Sequence, residues 1–456
     1  MHADRSRLPG VTADPAFRFP DVARHTLGNG LQVRTIEHRN VPVMTFVLQV
    51  EAGSGADPSD QEGLAAIVAD MVDEGTGTLS AIDVSDALAR IGAEYDAEVG
   101  PDVTTFTLIT LAKFAGRGGS LLADLVARPS LRENDFDRVR QLRLDRLRQL
   151  KDLAPATAER AFLRLMYGRH PYGHLSIGDD AALRALSLAD VAAFHAGLFQ
   201  PSSSTLVVSG SMSHAELLEA AGAAFGDWAA APSPAQRTVP GDIEPVVKPT
   251  RLAIVPRDGA AQSELRIGHL SARRNTPDYS ALLVMNAALG GQFVSRVNLK
   301  LREEKGYTYG ARTGFDWRRG LAPFSLQASV HTASTADAIH DSLHELEAIR
   351  GSRPLSDNEL ELAKASLTKG YPRNFETAQQ VARSVAQLAL YGLPDTYFED
   401  FVPKVNAVTG DEVTRVARQY LDPARLTTLI VGDHSAIAES LRTLSLGAPE
   451  VLPQEL

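Results

Sequence analysis

Apolar positions along the chain switch between two periods, and the switches mark out the elements. After the turn signal Leu27-Gly28-Asn29-Gly30-Leu31, residues Gln32–Glu37 read as an extended run. Val43–Val50 reads as a second, ended by Gly53, Ser54 and Gly55. A helix is predicted from Gln61 to Asp73, because Leu64, Ile67, Val68, Met71 and Val72 recur at helical spacing. The same reasoning predicts helices over Ser80–Ile91, Ala115–Ala127 and Glu133–Leu150, and strands over Thr104–Leu111 and Ser204–Val208. Residues 231–250 hold five prolines in twenty positions, which favours an extended linker over a packed element. Residues 1–16 are polar and proline-broken and read as a loose tail.

The halves on either side of the linker look like copies. Ser187-Leu188-Ala189-Asp190-Val191, then Pro201, then Leu206-Val207-Val208-Ser209-Gly210 has a counterpart downstream. It is Thr409-Gly410-Asp411-Glu412-Val413, then Pro423, then Thr428-Leu429-Ile430-Val431-Gly432, with the same separations. Tyr167-Gly168 and Leu131–Asn134 have near counterparts in Tyr391-Gly392 and Leu355–Asn358. An internal duplication is expected: domains of like fold over 17–230 and 251–445, joined by the linker 231–250. Each mixes strands and helices, and a cleft between them is where sites commonly lie.

Composition narrows the classes. A chain of 456 residues exceeds one ordinary core. Hydrophobic content of 44% and charged content of 22% describe a soluble globular protein. A net charge of −10 argues against a nucleic-acid partner or an anionic membrane surface. There is no cysteine, which excludes disulfides, thiolate metal sites and cysteine nucleophiles. No apolar run reaches the roughly 18 residues of a membrane span. The start, MHADRSRLPG, has no apolar segment of signal type. A soluble protein of a bacterial-type cytoplasm or periplasm is expected.

Candidate chemistry concentrates in Leu289–Arg312, LGGQFVSRVNLKLREEKGYTYGAR. Two glycines, Gly290 and Gly291, open it. A helical run comes next, with Phe293, Val297, Leu299 and Leu301 as its apolar positions. Gly306 reads as a helix stop and Lys305 suits the negative end of the helix dipole. The alternation of YTYGA then begins a strand. On the residues alone, Arg302 is either a solvated helix-end charge or an anion-binding group. Tyr309 is either a strand aromatic or a hydroxyl donor.

The stretch resembles the pitrilysin/insulinase family of zinc peptidases, which includes mitochondrial processing peptidase. The matching residues are Gly290, Gly291, Ser295, Arg296, Arg302, Glu303, Gly306 and Tyr309. The first half resembles the family too, from LGNGLQV at Leu27 through Gly53 to HPYG at His170. The resemblance spans residues 20–440. It implies an α+β fold: two homologous domains, each a mainly antiparallel sheet backed by helices, together half of a clam shell. It also implies that Arg302 and Tyr309 reach a zinc site in another domain, touching the substrate backbone and the oxygen of the tetrahedral intermediate. Gly290, Gly291 and Gln292 would let the peptide approach closely. An arginine fork and a tyrosine hydroxyl suit those roles chemically.

The family's inverted zinc motif fails in this sequence. Gly63, Leu64, Ala65, Met71, Gly75 and Thr76 match its flanks and set the register. The two ligand positions are then Ala66 and Asp70, and the general-base position is Ala69. The third ligand position falls on Arg146, in the run Phe136–Arg146. A catalytic zinc needs three donor side chains and an activated water, which this set cannot supply. No metal or other cofactor is expected on this chain.

What the resemblance implies is the non-zinc subunit of a heterodimeric metallopeptidase. The partner would be a zinc-bearing short homologue and the substrate a peptide; a homodimer is the other arrangement left open where that partner is absent. Peptidase activity is expected only in the complex. The alternative is a catalytically inert structural or binding protein of the same fold, as in the core subunits of the respiratory bc1 complex. Asp70 and Arg146 either pair, with the guanidinium in the place of zinc, or both face solvent.

Other candidates read as structural. His340 and His344 flank the apolar stripe Ile339, Leu343, Leu346 and Ile349, a half-exposed helix face. His170 and His174 are split by Pro171 and Gly173 and read as loop anchors. The basic run Arg138–Arg148 is either a solvated face or a partner contact.

Overall fold

A computed structural model of the chain describes residues 17–230, 239–247 and 250–454. The tail expected at residues 1–16, and positions 231–238 and 248–249 of the proline-rich segment, lie outside the described residues.

Six strands make the first sheet: β1 (Val22–Thr26), β2 (Gln32–Glu37), β3 (Val43–Val50), β4 (Glu94–Val99), β5 (Thr104–Leu111) and β6 (Ser204–Gly210). Their order is β1-β2-β6-β3-β5-β4. The second sheet holds β7 (Leu252–Pro256), β8 (Gln262–Leu270), β9 (Thr308–Phe315), β10 (Pro323–His331), β11 (Thr427–Gly432) and β12 (Glu450–Val451). Its order is β9-β10-β8-β11-β7-β12, the first order read from its other end. β6 and β11 play one part in both: parallel to β2 or β7 on one side, antiparallel to β3 or β8 on the other. All other pairings except that of β12 are antiparallel. The fold is α+β, with two sheets of like topology.

Five helices frame the candidate site and the seam between the halves: α1 (Leu64–Val72), α2 (Glu133–Lys151), α3 (Ala154–Tyr167), α4 (Asp357–Thr368) and α5 (Ala378–Tyr391). The alternation of β3 sends Met44, Phe46, Leu48 and Val50 into a core shared with α1 and α2. Val47 points to the other face of the sheet.

That other face is covered from the opposite half of the chain. Val381, Ala382 and Val385 of α5 pack on Ile36, Val47 and Val207 of the first sheet. Reciprocally, Ala158, Ala161 and Phe162 of α3 pack on Ala253, Val255, Leu429 and Val431 of the second. A fully buried large apolar side chain is worth about 1.5–3 kcal/mol, so the exchange of helices is a main source of cohesion between the halves.

A polar seam fixes the angle of this exchange. Tyr167 Oη donates to the Leu321 carbonyl at 2.6 Å. Asp102 accepts from the hydroxyl of Tyr172 and from the Arg319 amide, the latter at 3.1 Å. Arg319 also reaches Glu51 at 2.5 Å and the Leu390 carbonyl at 2.9 Å. The buried Arg318 guanidinium lies 4.9 and 5.0 Å from the ring centres of Tyr167 and Tyr172, an arrangement favourable for a cation against π faces. Among the described residues no helix is long and apolar enough to cross a membrane.

The exchange makes a prediction. Phe162→Ala removes a ring buried against the second sheet and should cost about 3–5 kcal/mol. Although Phe162 belongs to the first half, hydrogen exchange should show β7 and β11 losing more protection than β2 and β6. Losses confined to the first sheet would contradict the exchanged packing.

Candidate functional site

The helix that would carry a metal is anchored at its start. Gly63 enters α1 at φ +101°, a left-handed conformation suited to glycine. Asp57 then accepts from the amides of Gly63 and Ala65, each at 2.7 Å, and from His174 Nε2 at 3.1 Å. Burial pushes the Asp57 carboxyl above its ordinary range, against the pull of His174 and of those amides. Nearby, His170 Nδ1 accepts from the Tyr172 amide at 3.0 Å, and its Nε2 lies 3.2 Å from the Ile243 carbonyl. Both histidines hold loops in place.

Along α1, Ala66 and Ala69 are 2% exposed and serve as packing surface. Asp70 is exposed, and its partner is Arg143 of α2. Arg143 Nε is 3.1 Å from Asp70 Oδ2, and Nη2 bonds the same oxygen. Nη2 also donates to the Ala66 carbonyl at 3.2 Å, and Nη1 lies 3.5 Å from the Ser176 carbonyl. The guanidinium therefore spans both ligand positions of the lost motif.

The pairing expected of Asp70 with Arg146 is corrected: Arg146 turns outward to Gln149 Oε1 at 3.3 Å. The reason is helical phase. Phe136, Val139, Arg143 and Leu147 fall on the inward stripe of α2, and Arg146 falls off it. Nor is the basic run a bare solvated face. Arg138 pairs with Glu74, and Arg140 donates to the Leu186 carbonyl at 2.9 Å. Among the described residues no group of three His, Asp or Glu side chains could hold a metal ion. The donor set does not fit zinc.

The second constellation is built by one folded unit. The helix Tyr279–Asn286 continues as a wider single turn, Ala287–Gly291. A Cβ on Gly290 would sit 2.5 Å from Thr313 Oγ1, and one on Gly291 would sit 2.7 Å from Asn286 Nδ2. Gly290 is thus required by the approach of β9, and Gly291 by its own helix. Gln292 is extended, its backbone leading out of that turn.

The helical run predicted through Phe293 begins later. Phe293 is 57% exposed in the turn, and the helix starts at Arg296 and runs on through Leu299–Glu304. Instead of joining the core, the Phe293 ring lies under Arg302, whose guanidinium carbon is 4.6 Å from its centre. Arg302 also approaches Glu303 at 3.4 Å. Gly306 closes the unit at φ +65°.

Tyr309 stands at a break in the register of β9 with β10, between Thr308 and Ala311, and is 86% exposed. Three contacts fix the break. Thr308 Oγ1 donates to the Gly310 carbonyl at 2.9 Å and accepts from the Gly310 amide at 3.1 Å. Asn298 Oδ1 accepts from the Ala311 amide at 3.0 Å. The Asn298 amide nitrogen donates to the Phe293 carbonyl at 2.7 Å, which ties the bulge to the Arg302 loop. Sequence reasoning missed Asn298; a polar residue between the apolar Val297 and Leu299 was the available signal.

Arg296 was matched only as part of a motif. It is buried, grips Glu359 of α4 at 2.6 and 2.9 Å, and donates to the carbonyls of Arg353 and Pro354 at 2.6 and 2.9 Å. Its guanidinium holds the Glu359 carboxyl down to about 2. His340 stays exposed on its helix and, among the described residues, meets Asp341 at 3.4 Å.

Comparisons with known proteins agree with this geometry. The family model for insulinase (peptidase family M16) matches residues 32–179, and that for the peptidase M16 inactive domain matches residues 185–367. An uncharacterized zinc protease of Mycobacterium tuberculosis is 25% identical over 450 residues, 97% of this chain and 98% of that protein. A probable mitochondrial-processing peptidase subunit beta of Schizosaccharomyces pombe is 22% identical over 272 residues, 60% of this chain and 59% of that protein. The solved peptidase M16 inactive domain from Pseudomonas fluorescens has the same fold, with a TM-score of 0.84 at 22% identity over 91% of this chain and 98% of that one. The chain belongs to the insulinase (M16) family of peptidases. Alanines at Ala66 and Ala69 and the arginine-bound Asp70 make it an inactive-type member.

Both ion pairs can be tested on stability. In a double-mutant cycle on thermal unfolding, Asp70→Ala and Arg143→Ala should show a coupling of about 0.5–1 kcal/mol, modest because Asp70 is exposed. Additive effects would dissolve the bridge. For Glu359, the sign comes from a carboxyl pKa lowered on folding. Its contribution is full above the ordinary value of 4.5 and is lost as pH falls through about 2. Glu359→Gln should therefore lower Tm at pH 7, with the deficit shrinking steadily below pH 4.5; a deficit independent of pH would remove the ion pair as its cause.

Proposed function

We propose that this chain is the non-zinc subunit of a two-chain metallopeptidase, paired with a zinc-bearing homologue of its own family. One observation carries the reading. Tyr309 projects into solvent from a backbone bulge fixed by Thr308 and Asn298, close along the chain to Arg302, while two of the chain's own metal-site positions are alanine. A tyrosine held rigidly in the open suits a partner surface more than a core. The similarity to a protein named as subunit beta of a mitochondrial-processing peptidase supports a peptidase built from more than one chain.

In this reading 17–230 and 251–445 are the two homologous domains, and the peptide substrate passes between this chain and its partner. Arg302 grips substrate carbonyl groups through its planar donors. Tyr309 Oη donates to the oxyanion that develops on the scissile carbonyl. The backbone of Gly291 and Gln292 gives the peptide a close main-chain surface. Gly290, pressed against Thr313, shapes that surface from below. The zinc and the nucleophile belong to the partner. Alone, the chain forms at most an inactive homodimer.

The test is cleavage of a quenched-fluorescence peptide mixture by the full chain, by the zinc-bearing homologue from the same cell, and by both together. Activity is expected only in the mixture. There, Arg302→Ala should lower kcat by about 10²–10³-fold, with the zinc content of the complex unchanged. Full turnover by the variant complex would remove the clamp role, and no activity in a competent mixture would leave an inert scaffold.

A further inference from the structure

The first half also holds a polar cavity that none of the chemistry above uses. It has a volume of about 350 Å³ and opens between the loop that enters α1 and the loop that leaves α3. Asp57, Ser59 and Glu62 line it from the first loop. Arg164 lines it from the last turn of α3, and Arg169 and His174 from the second loop. That volume is at the small end of binding cavities, and the charged wall disfavours an apolar occupant.

The wall carries charge of both signs, and their pairing leaves a remainder. Asp57 is wholly covered and accepts three hydrogen bonds, from two amides and from His174. Both oxygens of Glu62 accept from Arg164 Nη2, at 2.8 and 3.0 Å. Neither carboxylate is left to receive a cationic ligand. The donors are in surplus instead. Among the described residues, Arg164 commits Nη2 alone and keeps Nε and Nη1. Arg169 is exposed and meets no carboxylate among the described residues, so its fork of donors has no counter-charge. The Ser59 hydroxyl adds a further donor. Nor is the loop that carries Arg169 slack. His170, the next residue, accepts from the Tyr172 amide at 3.0 Å and lies 3.2 Å from the Ile243 carbonyl. Two guanidinium groups on one small wall repel each other, and an anion between them turns that repulsion into attraction.

We propose that this cavity is a binding site for a compact multivalent anion, a phosphate ester or a polycarboxylate. Arg169 and Arg164 grip it, and the Ser59 hydroxyl is the third donor. The planar arginine fork meets either anion two oxygens at a time. The site rests on side-chain donors, because Asp57 already takes the amides of Gly63 and Ala65 at the start of α1. Bound there, the anion ties the entry of α1 to the end of α3, the helix that covers the second sheet. Its effect is to stiffen the joint between the halves. The site lies on this chain alone and uses none of Gly290, Arg302 or Tyr309.

The experiment uses the full chain alone, with titration calorimetry and thermal unfolding in inorganic phosphate, citrate or chloride at matched ionic strength. Phosphate and citrate should bind and raise Tm, and chloride should do neither. The tighter of the two names the class of ligand, phosphate ester or polycarboxylate. Arg169→Gln should weaken binding at least about tenfold, the scale of one charge-assisted hydrogen bond. It should keep the wild-type Tm in the absence of anion, because Arg169 is exposed. Ser59→Glu sets a carboxylate of the chain's own beside the arginines and should abolish binding without lowering Tm, since Ser59 is exposed too. Arg146→Gln, which removes an exposed arginine outside the cavity, should leave binding unchanged. No binding of either anion, an equal response to chloride, binding that survives Arg169→Gln or Ser59→Glu, or an equal loss in Arg146→Gln would each overturn the proposal. None of these results bears on the clamp, which is read from turnover of the Arg302→Ala complex.

Discussion

Neither sheet can be covered by its own half of the chain. The central strands β6 and β11 are buried on both faces, so each sheet needs a helical layer on either side. One layer comes from local helices such as α1 and α2; the other is α5 or α3, supplied by the opposite half. The halves are therefore not beads on a linker. The polar seam of Asp102, Tyr172, Arg318 and Arg319 then selects one angle among those that apolar contact would allow. Whatever the chain presents to a partner, it presents from one rigid frame.

Within that frame a cation still bridges α1 and α2, although it is a guanidinium. Arg143 uses the Ala66 carbonyl and the Asp70 carboxylate, where a metal would have needed side-chain donors. The two solutions differ in energy by an order of magnitude. A half-exposed ion pair contributes about 1 kcal/mol or less, whereas a structural zinc can contribute about 10 kcal/mol or more. The scaffold must accordingly stand on its apolar contacts, and the alanines at 66 and 69, packed at 2% exposure, belong to those contacts.

Much of this was legible from the chain because it is local. The alternation of β3 and the stripe of α1 depend on near neighbours, and the duplicated spacing around Pro201 and Pro423 survives any detail of packing. The helix exchange was not legible: an amphipathic pattern says which face of α5 is apolar, not which sheet will cover it. Arg143 was missed in favour of Arg146 because a fixed offset along the sequence ignores the phase of the helix. Asn298 acts through a register break in β9, which no periodicity reveals. Arg302 and Tyr309 could be set at a helix end and on a strand from the residues. Their task rested on resemblance, since exposure and partners alone do not assign it.

The Asp70–Arg143 bridge also bears on history. A histidine placed at Ala66 alone would meet a packed slot beside a guanidinium that holds the carbonyl there. A histidine at Asp70 alone would strand Arg143 without its counter-charge, and removing Arg143 first would leave two helices without their tie. Each single step back toward a metal site thus passes through a chain less stable than the present one. The present contacts thus favour themselves: Ala66, Asp70 and Arg143 hold one another in place, and a donor set at these positions would need all three to change together.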